Sequence, residues 1–356
     1  MNTSLDCVPQ GLHPTIPSLG TLLLLASVLL DGVSFCVFCC RAKQWDPGMI
    51  LQFSLVLGDV LIILVAPLRI SYLSLGNRWP FGQFLCQFEV FLHSAHVYSS
   101  IYFLMLICIH RYFVVVRYKS KSLWKKRSFL RKLRLFVWLV LFVQGLPLFF
   151  LLKTSVINGS ATCLNIHQSE LSSTYFFYNM VFIVASFLLP LAISLPCGAL
   201  LGAAFAKAAK KSSRGKKMKS RSLQMITVSL VIFFAVCFGP LHICRTIAVV
   251  VKYYGMSCKL LHQVEFACYI SWVFTMANTC LDSLISVFAN DKFKRSLLTP
   301  FKNAGASRAV SVRALSRGAC RSESRIPAQG KITHVQEPDC PLDIQKSAPP
   351  QPWRQS

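Results

Sequence analysis

Acidic side chains are scarce in this chain of 356 residues, which has 13 Asp and Glu against 38 Lys and Arg. Charged residues make up only 14% of the sequence, while 54% of it is hydrophobic. One soluble core cannot bury that much apolar surface, so the composition favours a protein of the lipid bilayer. The net charge of +25 does not lie on a compact folded segment, so nucleic acid is not an expected partner.

Several chemical signatures are also missing. The 15 cysteines show no spacing typical of a zinc site. No nucleophile, base and orienting acid lie on segments expected to converge, so the chain is not expected to be an enzyme and no organic cofactor is expected. The absence of an internal repeat or of paired broken helices disfavours a transporter or channel.

Long apolar runs are abundant. About 20 apolar helical residues cross a hydrocarbon core about 30 Å thick. The sequence therefore predicts an all-α membrane protein, a seven-transmembrane helix bundle with a short amphipathic eighth helix and a disordered tail. The seven apolar segments are 18–40, 49–73, 84–116, 134–152, 175–206, 222–251 and 262–289.

Basic residues are distributed unevenly along the chain. Residues 1–18 contain no Lys or Arg, whereas 117–134 carry nine and 207–221 carry eight. The positive-inside rule then predicts an extracellular N-terminus and basic loops that face the cytoplasm and its anionic lipid. Asn2 and Asn158 begin glycosylation sequons, and both fall on the side predicted to be external.

These features divide the chain into four regions. We expect an extracellular N-terminus at 1–17, a seven-helix domain at 18–290, an amphipathic cytoplasmic helix at 291–303 and a cytoplasmic tail at 304–356. The tail is rich in Ser, Arg, Pro and Gln, which cannot offset the cost of ordering it, so disorder and phosphorylation are expected there. No basic region precedes the first apolar run, so the first helix is expected to serve as the insertion signal.

An ordered set of motifs follows the predicted helices. The chain over about 18–300 resembles the rhodopsin-like (class A) G-protein-coupled receptors, which carry one signature on each helix in this order. The residues that carry the resemblance are Leu55 to Asp59 and Ala66-Pro67, Cys86, His110-Arg111-Tyr112, Trp138 and Pro147, Pro190, Cys237-Phe238-Gly239-Pro240, and Asn278 to Asp282.

Further motifs resemble one branch of that family, which contains the hydroxycarboxylic-acid, oxoeicosanoid and purinergic nucleotide receptors. Lys43-Gln44-Trp45 and Trp79-Pro80-Phe81-Gly82 are similar to the hydroxycarboxylic-acid group, and His242-Ile243-Cys244-Arg245 looks like the HxxR motif of the nucleotide receptors. Val97 stands where the hydroxycarboxylic-acid receptors have a basic residue, and that difference weakens a direct transfer of their small-acid ligands.

The resemblance implies a plasma-membrane receptor that signals to a heterotrimeric G protein, with Arg111 as the G-protein contact and arrestin as a possible partner of the tail. It also implies a Cys86–Cys163 disulfide and a second bridge between Cys7 and Cys258. A retinal-binding opsin is not expected, because Met276 stands where the Schiff-base lysine would be.

Polar groups inside a membrane helix are costly, so each one calls for a reason. His242 and Arg245 are three residues apart and share one face of the sixth helix. Arg69 lies ten residues beyond Asp59 and reaches a similar depth. Guanidinium groups bind carboxylate or phosphate with two hydrogen bonds, so we predict an anionic ligand, either a carboxylate lipid, a metabolite or a nucleotide. The predicted ligand-binding residues are Arg69, His93, Tyr98, His242, Arg245 and Glu265.

A structural alternative exists for both arginines. Arg69 would pair with Glu265 or another internal acid, and Arg245 would extend to the outer headgroups.

Three aspartates form a second predicted cluster. In resembling proteins, the positions that match Asp31, Asp59, Ser100 and Asp282 converge on a sodium and water site. Three carboxylates in a medium of low dielectric constant cannot all stay ionised without a cation, so the alternatives are bound Na⁺ and a protonated hydrogen-bond network.

Two motifs depart from the family pattern in ways that bear on signalling. His110 replaces the acid that normally restrains the arginine matching Arg111, while Ser283 and Ser286 stand where Pro and Tyr are usual. The leading interpretation is a ligand-activated receptor that couples to a G protein. The alternative is a receptor-like protein with weak or absent coupling that acts by binding a ligand or partner.

Overall fold

The computed structural model describes residues 14–41, 45–117, 122–151, 154–157, 159–163, 172–210, 235–251, 253–254 and 258–289. The N-terminal segment with Asn2 and Cys7, the glycosylation site at Asn158, the predicted helix at 291–303 and the tail at 304–356 lie outside these residues. Two short structures connect the helices: a 3₁₀ turn at Leu123–Lys125 and an antiparallel hairpin of β1 and β2 in which Val156 pairs with Ala161. The helices are α1 Thr15–Cys36, α2 Pro47–Ser74, α3 Gly82–Val115, α4 Arg127–Leu151, α5 Ser172–Ile183, which continues through a π turn at Val184–Leu188 into Leu189–Lys210, α6 Ala235–Val251 and α7 Cys258–Ala289, and the strands are β1 Ser155–Ile157 and β2 Ser160–Thr162.

Five of these helices, α1 to α5, are long and apolar enough to cross a membrane. The described part of α6 is apolar but shorter, and α7 has 32 residues with several buried polar side chains. Prolines inside α2, α4 and α5 are compatible with membrane helices, where neighbouring helices and hydroxyl side chains satisfy the freed backbone groups. The helices thus follow the predicted apolar segments.

The ends of α2 show why the chain turns there. Pro47 occupies the first turn, where its missing N–H is no loss. At the other end Gly76 and Asn77 adopt positive φ angles of 66° and 65°, and the Asn77 N–H donates to the Tyr72 carbonyl at 3.0 Å. Left-handed residues in this position satisfy the last carbonyls of a helix and stop it.

The start of α4 differs from the prediction. The helix begins at Arg127, seven residues before the apolar run predicted from 134. Leu130 is fully buried in this first part, while Arg127, Arg131 and Lys132 are exposed. The first two turns are therefore amphipathic, and a search for continuous apolar sequence does not detect them.

The side chains are arranged with apolar residues outside and many polar residues inside. Leu29 on α1 is 70% exposed and Phe150 on α4 is 80% exposed, as suits a lipid-facing surface. Inside, two apolar clusters pack the helices together, one with Leu55, Ile101 and Phe238 and the other with Ile62, Trp79 and Trp272. The described part of the bundle also buries five carboxylates, which are Asp31, Asp59, Glu89, Glu265 and Asp282.

The two ends of the bundle are distinguished by two residues. We call one the disulfide end, because the Cys86–Cys163 bridge joins the start of α3 to the end of β2 there. We call the other the Arg111 end, after Arg111 in the last turn of α3. Asp59 on α2 and His96 on α3 lie between these ends, in the sequence between the two apolar clusters.

Candidate functional site

The disulfide end is built on the bridge between Cys86 and Cys163, which confirms the predicted pair. Both cysteines are fully buried. The Trp79 backbone N–H donates to the Ala161 carbonyl at 2.7 Å, so the loop between α2 and α3 is held against the hairpin. The side chain of Trp79 donates to the Gly82 carbonyl at 2.8 Å, which fixes the start of α3. The second predicted bridge, Cys7 to Cys258, cannot be assessed because neither side chain is among those described.

Arg69 on α2 forms a buried ion pair with Glu89 on α3. Its Nε donates to Glu89 Oε1 at 3.0 Å and its Nη2 donates to Oε2 at 2.5 Å. The Tyr72 ring lies 5.7 Å from the guanidinium carbon and provides a cation–π contact. The carboxylate thus occupies the bidentate edge that a ligand anion would need. The alternative of an internal acid for Arg69 is the arrangement found, with Glu89 as the acid.

Glu265 on α7 belongs to a neighbouring polar group. The Tyr269 hydroxyl lies 2.9 Å from Glu265 Oε1 and 3.1 Å from Asn77 Oδ1, and its single proton can satisfy one of them at a time. His262 Nδ1 lies 3.9 Å from the other Glu265 oxygen. Glu265 therefore carries internal partners on its own helix.

Arg245 on α6 has a different environment from Arg69. Its Nη2 donates to the Tyr175 hydroxyl at 2.8 Å, and the Tyr175 ring lies 5.5 Å from its guanidinium carbon. The phenols of Tyr98 and Tyr178 are also close to it. No carboxylate among the described residues forms an ion pair with Arg245, and its Nε is buried without a hydrogen-bond partner. Arg245 is therefore a buried cation surrounded by neutral phenols.

His242 lies one turn before Arg245 and packs in an aromatic stack. Its ring is 4.3 Å from the Phe187 ring and 5.8 Å from that of Tyr98, and its Nδ1 lies 2.9 Å from the Phe238 carbonyl. In the tautomer protonated at Nδ1, this nitrogen donates to that carbonyl. The backbone bond orients the ring and leaves Nε2 as its second polar atom.

His93 on α3 connects the two arginines. It lies within electrostatic range of both Arg69 and Arg245, and its Nδ1 is buried without a hydrogen-bond partner. Of the six residues predicted to bind ligand, the structure groups four around one point of the interior and places two in the adjoining acidic network. The four are His93, Tyr98, His242 and Arg245, and the two are Arg69 and Glu265.

Sequence reasoning missed two important members of this region. Glu89 was not singled out, although it follows Cys86 by three residues and lies within two turns of the same loop as Arg69. Tyr175, the hydrogen-bond partner of Arg245, was also missed because it stands at the start of α5, where nothing in the sequence fixes its helical face. A count of depth from the connecting loop would have paired Arg69 with Glu89.

The three predicted aspartates all lie buried at mid-bundle. Asn278 Nδ2 donates to Asp282 Oδ2 at 2.6 Å, the Ser283 hydroxyl donates to Asp31, and His96 Nδ1 lies 3.5 Å from Asp59 Oδ1. Ser100 lies beside Asp282, but its hydroxyl makes no hydrogen bond of good geometry. Buried oxygens without a hydrogen-bond partner are Asp31 Oδ2, both carboxylate oxygens of Asp59, Ser100 Oγ, Asn278 Oδ1 and Asp282 Oδ1.

These oxygens are the hard donors that Na⁺ accepts. Within the described ranges, however, no three His, Cys, Asp or Glu side chains are grouped so that they could hold a metal ion. A sodium ion here would therefore have to combine a carboxylate such as Asp59 with hydroxyl, amide and water oxygens. Sodium binding stays a prediction.

A sodium titration tests it. Raising Na⁺ at constant ionic strength should increase the melting temperature of the ligand-free protein, because an ion that binds only the folded state stabilises it by mass action. Asp59→Asn should abolish the increase, with choline as the control cation. A melting temperature that responds equally to choline and Na⁺ would favour the protonated network.

At the Arg111 end, His110 fills the position of the missing acid. A Cβ added at Gly48 would lie 3.2 Å from the His110 ring, so α2 and α3 are in close contact there. The His110 ring also bonds to the backbone of Trp124 in the 3₁₀ turn. Arg111 itself is half-buried. Ser283 bonds to Asp31, which ties α7 to α1, and the Ser286 side chain is outside those described.

The interior polar network, the apolar exterior and the disulfide define a multi-pass membrane protein with a site inside its helix bundle. Residues 32–285 match the family model described as 7 transmembrane receptor (rhodopsin family). The chain belongs to this family, and its seven-helix fold class is thereby confirmed.

Its curated relatives are receptors rather than enzymes. Purinoceptor 2 of Homo sapiens is 30% identical over 267 residues, which cover 75% of this chain and 71% of that protein. Purinoceptor 4 of Rattus norvegicus is 32% identical over 272 residues, 75% of this chain and 74% of that protein. 2-oxoglutarate receptor 1 of Rattus norvegicus is 26% identical over 281 residues, 79% and 82% of the two chains. These matches confirm the predicted branch of purinergic and carboxylate receptors.

Proposed function

We propose that this receptor binds an extracellular anionic small molecule at Arg245 and transmits the binding to a heterotrimeric G protein. The observation that carries the proposal is the environment of Arg245, a guanidinium inside the bundle with no carboxylate partner among the described residues. A buried cation without a counter-charge is costly, and it is retained most readily where a ligand supplies the charge.

Arg69 makes the contrast clear. Its charge is neutralised by Glu89 through two hydrogen bonds, so an anion that bound Arg69 would leave the Glu89 carboxylate buried and unpaired. Breaking such a pair costs about 3–5 kcal/mol. Arg245 needs no such exchange, because its hydrogen-bonded neighbour is the neutral phenol of Tyr175.

The groups around Arg245 suit a carboxylate or phosphate attached to an apolar or aromatic body. Tyr98, Tyr178 and His93 offer polar atoms near the guanidinium, while the stack of His242 on Phe187 supplies an apolar wall. Charge-assisted bonds to a guanidinium are strong where water is scarce. The name of one relative supports an anionic ligand, because 2-oxoglutarate is an anion at neutral pH.

The proposed orientation follows from the basic loops. The segments 117–134 and 207–221 carry nine and eight Lys and Arg, which places the Arg111 end in the cytoplasm of a plasma-membrane protein and the disulfide end outside. Arg111 is then the proposed G-protein contact, and a phosphorylated tail is a proposed contact for arrestin.

A GTP-exchange assay on reconstituted protein tests both binding and coupling. Carboxylates, 2-oxoglutarate and nucleotides are applied as stimuli, and we expect at least one of them to increase exchange. Arg245→Ala should lower the potency of that stimulus by about 30-fold or more, since truncating one member of a buried charged pair costs about 2 kcal/mol or more. Arg245→Lys should recover only part of the loss, because a point charge cannot reproduce the planar fork.

The matched control is Arg78→Ala, which removes an exposed cation after α2 and should leave potency unchanged. Surface expression of each variant is measured in parallel. An Arg245→Ala protein that is expressed and keeps the full potency of every stimulus would contradict the anion site. Arg245-dependent binding without GTP exchange would favour the alternative of a receptor-like protein without coupling, which the His110 substitution supports.

A further inference from the structure

The disulfide end buries two guanidinium groups, and they differ in how their charge is balanced. Arg69 is matched by Glu89 across both carboxylate oxygens. Glu265, the other buried acid at this end, is bonded by Tyr269 and lies near His262. Arg245 has only phenols and imidazoles around it. The described part of the interior therefore offers a ligand one uncompensated positive charge.

We infer that the site selects a monoanion and discriminates against ligands with two or more negative charges, and that Glu89 is the residue that sets this preference. The inference rests on the proposed function, because it concerns the same site. A second carboxylate or phosphate would need a second cation, and the nearest buried one is already bound by Glu89. That second charge would have to be buried without a partner, which weakens binding strongly.

The position of His93 shows that Arg69 is near enough to matter. His93 is within electrostatic range of both arginines, so an anion held at Arg245 lies in the same part of the interior as the Arg69 guanidinium. Glu89 therefore removes a cation that would otherwise be available to the ligand. The charge preference resides in one carboxylate rather than in the shape of the site.

The inference separates this chain from one of its relatives. The 2-oxoglutarate named for that receptor carries two carboxylates, whereas the site around Arg245 balances one. A carboxylate on an aromatic or aliphatic body fits the charge and the phenol-rich walls together. Free nucleotides with several phosphate charges do not fit the charge.

The test uses matched probes that differ only in charge. Benzoate is the monoanion, phthalate and terephthalate are dianions with different carboxylate separations, and benzamide is neutral. Each is titrated at constant ionic strength against purified, full-length protein, and the apparent Kd is taken from the increase in melting temperature. Arg245→Ala is run in parallel, so that only the shift that depends on this arginine is counted.

We expect benzoate to stabilise the native protein with an apparent Kd about tenfold or more lower than that of either dianion, and benzamide to have no effect that depends on Arg245. Glu89→Gln keeps an acceptor oxygen for Arg69 but removes the charge. In this variant at least one dianion should bind as tightly as benzoate or more tightly.

A second variant protects the test against misfolding of the first. Arg69→Met combined with Glu89→Leu removes both charges of the pair and should keep the benzoate preference of the native protein, because Arg245 remains. Loss of benzoate binding in this double variant would place Arg69 in the ligand site and overturn the inference.

The outcomes distinguish the two proposals. A dianion that binds the native protein more tightly than benzoate, in a manner that depends on Arg245, would overturn the monoanion preference and leave the anion site intact. If no anionic probe stabilises the native protein more than it stabilises Arg245→Ala, the anion site itself is wrong.

Discussion

Arg69→Ala is expected to destabilise the folded receptor by about 3–5 kcal/mol, because it leaves the Glu89 carboxylate buried with no counter-charge. Glu89 is fully buried, so water cannot replace the missing partner. The loss should appear as a lower melting temperature of the purified protein in detergent and as reduced surface expression. Ligand potency in the molecules that still fold should change much less than their number.

The matched controls separate charge from packing. Arg69→Met with Glu89→Leu removes the pair and leaves apolar side chains of similar size, and its stability should be close to that of the native protein, since such replacements are often neutral. Arg78→Ala removes an exposed arginine nearby and should change nothing. If Arg69→Ala is as stable as the double variant, Glu89 is not held by Arg69 and the ion pair is not what stabilises this end.

The positions of the membrane helices could be predicted because the signal is local. A continuous apolar run of the required length is read directly from the sequence, and the predicted 49–73 and 84–116 correspond to α2 at Pro47–Ser74 and α3 at Gly82–Val115. The start of α4 was missed because an amphipathic turn with exposed Arg127 and Arg131 has no continuous apolar run. The π turn in α5 and the short hairpin were missed because neither has a strong sequence pattern.

The charge balance of the site could not be predicted because it depends on which helix faces meet. The sequence indicates that Arg69 and Arg245 are costly inside a membrane, but it treats them as equivalent. The fold makes them different, since α2 and α3 bring Glu89 to one arginine and α5 brings Tyr175 to the other. That distinction decides which arginine is available to a ligand.

The mid-bundle aspartates illustrate the same limit. The family resemblance predicted that Asp31, Asp59 and Asp282 lie near one another, and all three are buried in the interior. Their partners depend on helix rotation, which places Ser283 against Asp31 and Asn278 against Asp282. Ser283 thus makes a contact that the substituted motif gave no reason to expect, and it links α7 directly to α1.

Removal of the Cys86–Cys163 bridge is expected to cost about 2–4 kcal/mol of stability and to release the hairpin from the mouth of the bundle. The bridge closes a loop across a sequence separation of 77 residues, which contains most of α3 and all of α4. A closed loop of this length restricts the unfolded chain, so its loss favours unfolding. Without the bridge, the described backbone contact between the α2–α3 loop and the hairpin is the bond from the Trp79 N–H to the Ala161 carbonyl.

Cys163→Ala and the double Cys86→Ala/Cys163→Ala should behave alike if the bond itself is what stabilises this end, because the single variant differs only by a free buried thiol. Cys197→Ala removes a cysteine that forms no disulfide and should leave the melting temperature nearly unchanged. Hydrogen exchange in residues 155–163 should rise in both bridge variants and not in Cys197→Ala, since a hairpin held by one hydrogen bond opens more often. Bridge variants with native melting temperature and native exchange would mean that side-chain packing around Trp79 and Tyr72, whose rings lie 5.7 Å apart, holds this end without the disulfide.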